Sequence, residues 1–352
     1  MENVLCYSNE QVNEKKMRDQ TANSFHPTAE RQGVMTAENK LSRVNRGSVY
    51  ALRFALLVTL LVFVIVAGNL LIQSINAFQS GGKVGKTLFT LDGQSSNQVT
   101  ALAWSPVGDR VASVGSNAQI WDAMTGQHTI KLNNNGSAIT AVAWSADAKQ
   151  LVTGGPEITV WDAQSGKQLL TYITQGQKAY AQGSLSVKAI EWSPDKTKIA
   201  TAYTYLNEGK NASTHVFQRV DVWNAATGKT ITSYDGHKST ILSLAWSSDS
   251  KRLASASTDG LAVWNAANGQ NVVKYATTGK VTSVSWSPDD RDLVSASNAL
   301  EIWDVKNAKK PVGILDAHAN ATTPTYVKWS PDGTFIASAD SSVAYLECQQ
   351  RQ

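Results

Sequence analysis

The sequence predicts an all-β chain built from six repeated meanders, and three observations carry that prediction. A tryptophan recurs as Trp104, Trp144, Trp192, Trp246, Trp286 and Trp329, at spacings of 40, 48, 54, 40 and 43 residues. A second series, Trp121, Trp161, Trp223, Trp264 and Trp303, follows the first at 17, 17, 31, 18 and 17 residues, and the two series hold all 11 tryptophans of the 352-residue chain. Asp122, Asp162, Asn224, Asn265 and Asp304 stand directly after the second series. A period of about 40 residues is that of a repeated four-stranded unit that buries its faces only against neighbours.

Residues 281–304, VTSVSWSPDDRDLVSASNALEIWD, show why each strand forms. The run up to Trp286 alternates with period two, as a half-buried strand does. Ser287-Pro288-Asp289-Asp290 predicts a type I turn, because proline presets φ at the second position and aspartate suits the third. Leu293-Val294-Ser295-Ala296 predicts a second strand, Asn298-Ala299 a tight reversal, and Leu300 to Trp303 a third strand. A fourth strand follows each second tryptophan, in TGQHTIKL from Thr125, SGKQLLTY from Ser165, TGKTITSY from Thr227, NGQNVVKY from Asn268 and KKPVGILDAH from Lys309. The sixth copy departs from the pattern, ending in SSVAYLE with Tyr345 near the expected tryptophan.

These paired tryptophans resemble the WD-repeat (WD40) β-propeller family, and the likeness covers roughly residues 86–347. It implies a propeller spanning residues 86–348, and six strand triplets with six fourth strands make the expected count six blades. KTLFTLDGQ from Lys86 matches the fourth strands but precedes the first triplet, so residues 86–91 are expected to complete the last blade and cover its open edge. Turns of the WSPDG type, as at Trp329 to Gly333, are like those of bacterial WD repeats. The family also braces its blades with a loop histidine, a strand hydroxyl, a turn aspartate and the third-strand tryptophan. Blade four matches this set with His237, Ser255 or Ser257, Asp259 and Trp264, so His237 and Asp259 are expected to be structural, as are the 11 tryptophans.

Ahead of the repeats, residues 1–49 are polar with charges of both signs and predict a mobile tail. Residues 50–72 hold FALLVTLLVFVIVAG and continue apolar through Ile72, long enough to span a bilayer as one helix. Lys40, Arg43, Arg46 and Arg53 against Lys83 and Lys86 predict a cytoplasmic tail and an extracytoplasmic propeller, held in the cell membrane as a single-pass signal anchor. Residues 73–85 form a linker with Gly81-Gly82 at its flexible part. The propeller's bottom face is then expected to look at the membrane. Only two cysteines occur, Cys6 and Cys348, at opposite ends of the chain, so no disulfide framework is expected and burial must hold the fold. The net charge of +4 gives no ground for a nucleic-acid partner, and none is expected.

Two insertions flank the third blade. About eight extra residues lie between Trp161 and Trp192, and about fourteen between Trp192 and Trp223. By the family likeness both open on the top face. Long insertions on a regular scaffold are where function tends to sit. Lys178, Tyr180, Tyr203, Tyr205, Asn207 and Lys210 are the candidate ligand-binding residues, because tyrosine offers a flat face and a hydroxyl at low entropic cost. Strand alternation lines the channel with alanines and serines, with Glu191 and Lys328 as lone charges. His128, His215, His237 and His318 have no metal-ligand spacing, and no nucleophile or phosphate-loop motif occurs. The expected function is a membrane-anchored, non-enzymatic binding or scaffold module or sensor for a protein or polymer ligand, without cofactor or metal. The alternative is a propeller hydrolase acting on sugars or peptides.

Overall fold

The computed structural model describes residues 6–8, 98–127, 130–134, 137–179, 184–208, 214–315, 325–340 and 343–348. The chain divides into two compact units, Met1–Asn23 with Phe89–Gln352, and Ser24–Leu88, and the described residues all lie in the first. Strand β1, Cys6–Ser8, comes first. Five antiparallel sheets of four consecutive strands follow. Sheet one is β2 (Val99–Trp104), β3 (Arg110–Gly115), β4 (Ala118–Asp122) and β5 (Ile130–Leu132). Sheet two is β6 (Ala141–Trp144), β7 (Gln150–Gly154), β8 (Ile158–Asp162) and β9 (Gln168–Tyr172). After helix α1 (Gln175–Ala179), sheet three is β10 (Ser184–Trp192), β11 (Lys198–Glu208), β12 (Thr214–Asn224) and β13 (Thr230–Tyr234). Sheet four is β14 (Ile241–Trp246), β15 (Arg252–Ser257), β16 (Gly260–Asn265) and β17 (Val273–Tyr275). Sheet five is β18 (Ser283–Trp286), β19 (Asp292–Ala296), β20 (Leu300–Asp304) and β21 (Gly313–Leu315).

Sheet six joins β22 (Tyr326–Trp329), β23 (Phe335–Ala339) and β24 (Val343–Cys348) to β1. Its fourth strand is therefore Cys6–Ser8, from the segment expected to be a structureless tail. Residues 86–91, expected in that place, lie outside the described residues, as do 9–85. Successive sheets pack through their inner strands, β2 on β6, β6 on β10, β10 on β14, β14 on β18 and β18 on β22, an arrangement consistent with a propeller.

The turn chemistry explains why the repeats recur as they do. After each first tryptophan a serine hydroxyl donates to an aspartate, as in Ser145 to Asp147 (2.7 Å), Ser247 to Asp249 (2.6 Å) and Ser287 to Asp289 (2.7 Å). The residue after that turn is left-handed in all six sheets: Gly108, Ala148, Lys196, Ser250, Asp290 and Gly333, with φ from 57° to 76°. The aspartate or asparagine after the second tryptophan caps the next turn. Asp162 Oδ1 accepts from the N–H and hydroxyl of Ser165 (both 2.7 Å), and Asn224 Oδ1 accepts the same pair from Thr227 (2.9 and 3.0 Å). Only an acceptor oxygen is needed, so aspartate and asparagine alternate freely.

The two tryptophan series couple neighbouring sheets. Indole N–H groups reach back to the previous sheet, from Trp144 to Ala103 O (3.0 Å), Trp246 to Glu191 O (3.2 Å) and Trp286 to Ala245 O (2.9 Å). Arg110 lies 5.0 Å from the Trp144 ring centroid and Arg252 4.6 Å from that of Trp286, each reaching forward one sheet. A tyrosine ending the fourth strand meets the second tryptophan of the following sheet. Tyr172 stacks on Trp223 at 4.4 Å, Tyr234 on Trp264 at 4.9 Å, and Tyr275 meets Trp303 edge-on at 5.4 Å. Among the described residues sheet one has no such predecessor: Trp104 is 64% exposed, whereas its five counterparts are 7–8% exposed. Val99 and Leu102 beside it are exposed as well.

Candidate functional site

Among the described residues, parts of both insertions around sheet three form regular structure. The extra residues after Trp192 lengthen β11 and β12 to 11 residues each, and β10 pairs with β11 out to Ser184–Leu206. Of the stretch lengthened after Trp161, Gln175–Ala179 form α1. Ladder alternation turns Tyr203 and Tyr205 inward, and they are 1% and 2% exposed. They are core residues of the described structure rather than a surface offered to a ligand, which corrects the expectation for both. Gly176 makes room for them, since a Cβ there would stand 2.9 Å from Tyr205 Cγ. Lys178 lies in α1 and Asn207 in β11, while Tyr180 and Lys210 lie outside the described residues.

Asp221 organises this end of the sheet. Its Oδ2 accepts from the Tyr172 hydroxyl, the Tyr203 hydroxyl and the Gln175 N–H, each at 3.0 Å, and its Oδ1 accepts from Ser233 Oγ at 2.6 Å. The side chain is fully buried, so four donors replace the water a carboxylate would otherwise keep. Burial first, and then the Asp221 charge, push the Tyr172 and Tyr203 hydroxyls above their ordinary range. Both phenols stay protonated and act as donors.

Sheet four carries the histidine brace expected of it. His237 Nδ1 meets Asp259 Oδ1 at 2.6 Å, His237 Nε2 meets Ser255 Oγ at 2.8 Å, and Trp264 Nε1 donates to Ser255 Oγ at 3.2 Å. Asp259 Oδ2 also accepts the Lys238 N–H at 2.6 Å. Burial raises the Asp259 pKa, but the Lys238 N–H and His237 outweigh it and leave the carboxyl below its usual value.

The bond from the second tryptophan to a strand hydroxyl recurs in three other sheets. Trp161, Trp223 and Trp303 donate to Thr153, Thr201 and Ser295 at 2.8, 3.0 and 3.0 Å. In sheet five the histidine's place is taken by Glu301, whose Oε1 accepts from the N–H and hydroxyl of Thr278 at 3.1 and 2.7 Å. Asp221 and Glu301 both stand two residues before the second tryptophan, a position filled by Ala262 where His237 is present. Sequence reasoning missed these two carboxylates; an acidic residue at a strand position sharing a face with a buried tryptophan was the available signal.

At the opposite ends of the inner strands a cavity of about 210 Å³ is lined by Glu191, Lys328, Trp192, Trp246, Trp286 and Trp329 among others. Burial holds the Glu191 carboxyl above its usual range against the opposing pull of Lys328. The indole N–H groups of Trp192 and Trp329 are buried without a partner, unlike those of Trp144, Trp246 and Trp286. Among the described residues no group of three or more His, Cys, Asp or Glu side chains is placed to hold a metal ion.

Residues 85–122, 228–264, 269–304 and 309–344 match the family model described as "WD domain, G-beta repeat". The chain carries WD repeats. The four matches together cover less than half of it. Curated relatives include "Intraflagellar transport protein 122 homolog" of Xenopus tropicalis, 27% identical over 120 residues that make up 34% of this chain and 10% of the relative. "THO complex subunit 3" of Arabidopsis thaliana is 30% identical over 130 residues, 33% of this chain and 39% of that protein. "WD repeat-containing protein AAC3" of Dictyostelium discoideum is 28% identical over 140 residues, 32% of this chain and 28% of that protein. The chain thus spans about a tenth of the intraflagellar transport relatives it matches. These relatives are eukaryotic, and the bacterial likeness expected from the WSPDG turns draws no support from them.

The expected single-pass membrane localisation is corrected. Among the described residues no helix is long and apolar enough to cross a membrane, and the relatives are named for intraflagellar transport and the THO complex. Residues 50–72, on which that expectation rested, lie outside the described residues.

Proposed function

We propose that this protein is a non-catalytic WD-repeat scaffold whose six sheets are the six blades of a propeller and whose ligands are other proteins. The observation carrying this reading is the lengthened β11–β12 hairpin of sheet three. Its paired strands run to Glu208 and Thr214, well past the ends of the other hairpins, and Val216 near its end is 54% exposed. Ile173, beside α1, is exposed too. A rigid hairpin anchored through Asp221 presents apolar groups without paying the ordering entropy a loop would. Relatives named for intraflagellar transport and the THO complex fit a protein-binding role, and no nucleic-acid partner is proposed.

The test shortens the hairpin by replacing residues 207–215 with a two-residue Asn-Gly turn, which keeps the native Leu206–Val216 pair as the closing pair. The variant should unfold at the same urea midpoint as the parent. It should lose the proteins that the parent retains and that photo-crosslink to a probe at position 216. Retention of the same crosslinked partners by both would sink the assignment.

A further inference from the structure

The register of sheet six sets Cys6 of β1 directly opposite Cys348 of β24, with Tyr7 opposite Glu347 and Ser8 opposite Leu346. These are the only two cysteines in the sequence, 342 positions apart, and the fold makes them cross-strand partners. Antiparallel partners stand with Cα atoms about 4.5–5.5 Å apart. That is inside the range of about 4.4–6.8 Å that a disulfide spans. We propose that Cys6 and Cys348 form a reversible disulfide that locks the N-terminal strand onto the last strand of sheet six.

The local structure explains why a covalent link matters there. β1 has three residues, and its ladder is confined to three positions of β24. So short a strand holds its place weakly by backbone pairing alone. A bond closing a loop of this length removes loop-closure entropy from the unfolded chain, so the oxidised protein is the more stable one. The chemistry balances with a small-molecule disulfide as oxidant. The thiolate of one cysteine attacks that disulfide, forming a mixed disulfide and releasing one small-molecule thiolate. The second cysteine's thiolate then displaces the other, leaving one protein disulfide and two small-molecule thiols. Reduction by the same couple reverses both steps and frees β1.

The experiment uses the full chain, reduced, freed of reductant and then equilibrated with oxidised glutathione. Unpaired thiols are alkylated before digestion with trypsin without reductant. The expected product is residues 1–15 joined to residues 329–351, recovered from protein that runs as a monomer. Tm should rise by about 5 °C on oxidation, fall back with dithiothreitol, and stay constant in Cys6→Ser and Cys348→Ser. Both cysteines alkylated after oxidation, or linked only between two chains, would overturn the proposal. A linked peptide without a rise in Tm would overturn the locking.

Discussion

Asp221 shows what one buried charge does for this fold. Three of its four donors converge on Oδ2, from β9, the start of α1 and β11, so one atom ties the insertion helix to the long hairpin. Asp221→Ala should cost about 3 kcal/mol, because it takes the acceptor from the Tyr203 hydroxyl, the Gln175 N–H and the Ser233 hydroxyl in a dry site, while the Tyr172 hydroxyl keeps Thr230. Asp221→Asn keeps an acceptor at the Oδ2 position and can donate to Ser233, so it should cost less than half as much. Urea unfolding of the two variants measures the contrast, and equal losses would show that charge rather than acceptor geometry holds the knot. The other candidates here divide by strand geometry. Tyr203 and Tyr205 were legible as distinctive residues, but whether they faced solvent depended on the insertion being a ladder rather than a loop.

At the scale of the element, the turn after the first tryptophan is the unit that repeats most faithfully, and its aspartates hold a pH dependence. The Ser145 hydroxyl lowers Asp147, and the Ser330 hydroxyl lowers Asp332 to about 2. At Asp195 and Asp249 burial pulls upward. It is outweighed by Lys198 and Ser193 at the first, and by Ser247 and the Lys251 N–H at the second. A carboxyl with a depressed folded pKa contributes stability that is complete above its unfolded value, near 3.9, and is lost as pH falls through the folded value. The urea midpoint should therefore hold down to about pH 4 and drop between about pH 4 and pH 2. Asp147→Asn combined with Asp249→Asn should make that drop shallower. An unchanged acid limb would mean the turns contribute nothing to it.

For the whole molecule, the decisive asymmetry is at sheet one. Trp144 sits between two sheets, and its truncation to alanine should cost about 3–5 kcal/mol. Trp104 has the same place in its repeat but an uncovered ring, so Trp104→Ala should cost less than about 1 kcal/mol. Denaturant titration of both variants is the check. Equal costs would show that the leading face of sheet one is covered in solution by residues outside those described. Phe335 holds in sheet six the position from which Arg110 and Arg252 reach the next sheet's tryptophan, and it too is exposed.

The sequence by itself determined the strands, their turns and the repeat. Period-two alternation, serine–aspartate turns and tryptophan spacing are local patterns, read within a few residues of where they act. The His237–Asp259 pair was named by the resemblance to WD repeats rather than by any local pattern. Only the tertiary structure decided what crosses between repeats. Whether the residues on either side of the insertion made loops or a ladder depended on pairing with β10 and with each other. That Asp221 and Glu301 become buried acceptors depended on which side chains met at one end of adjacent strands. The partner of the last sheet was a matter of long-range closure: β24 pairs with a three-residue strand more than 330 positions away, whose polar flanks carry no periodic signal. Cys6 and Cys348, unrelated in the linear chain, became neighbours for that reason alone.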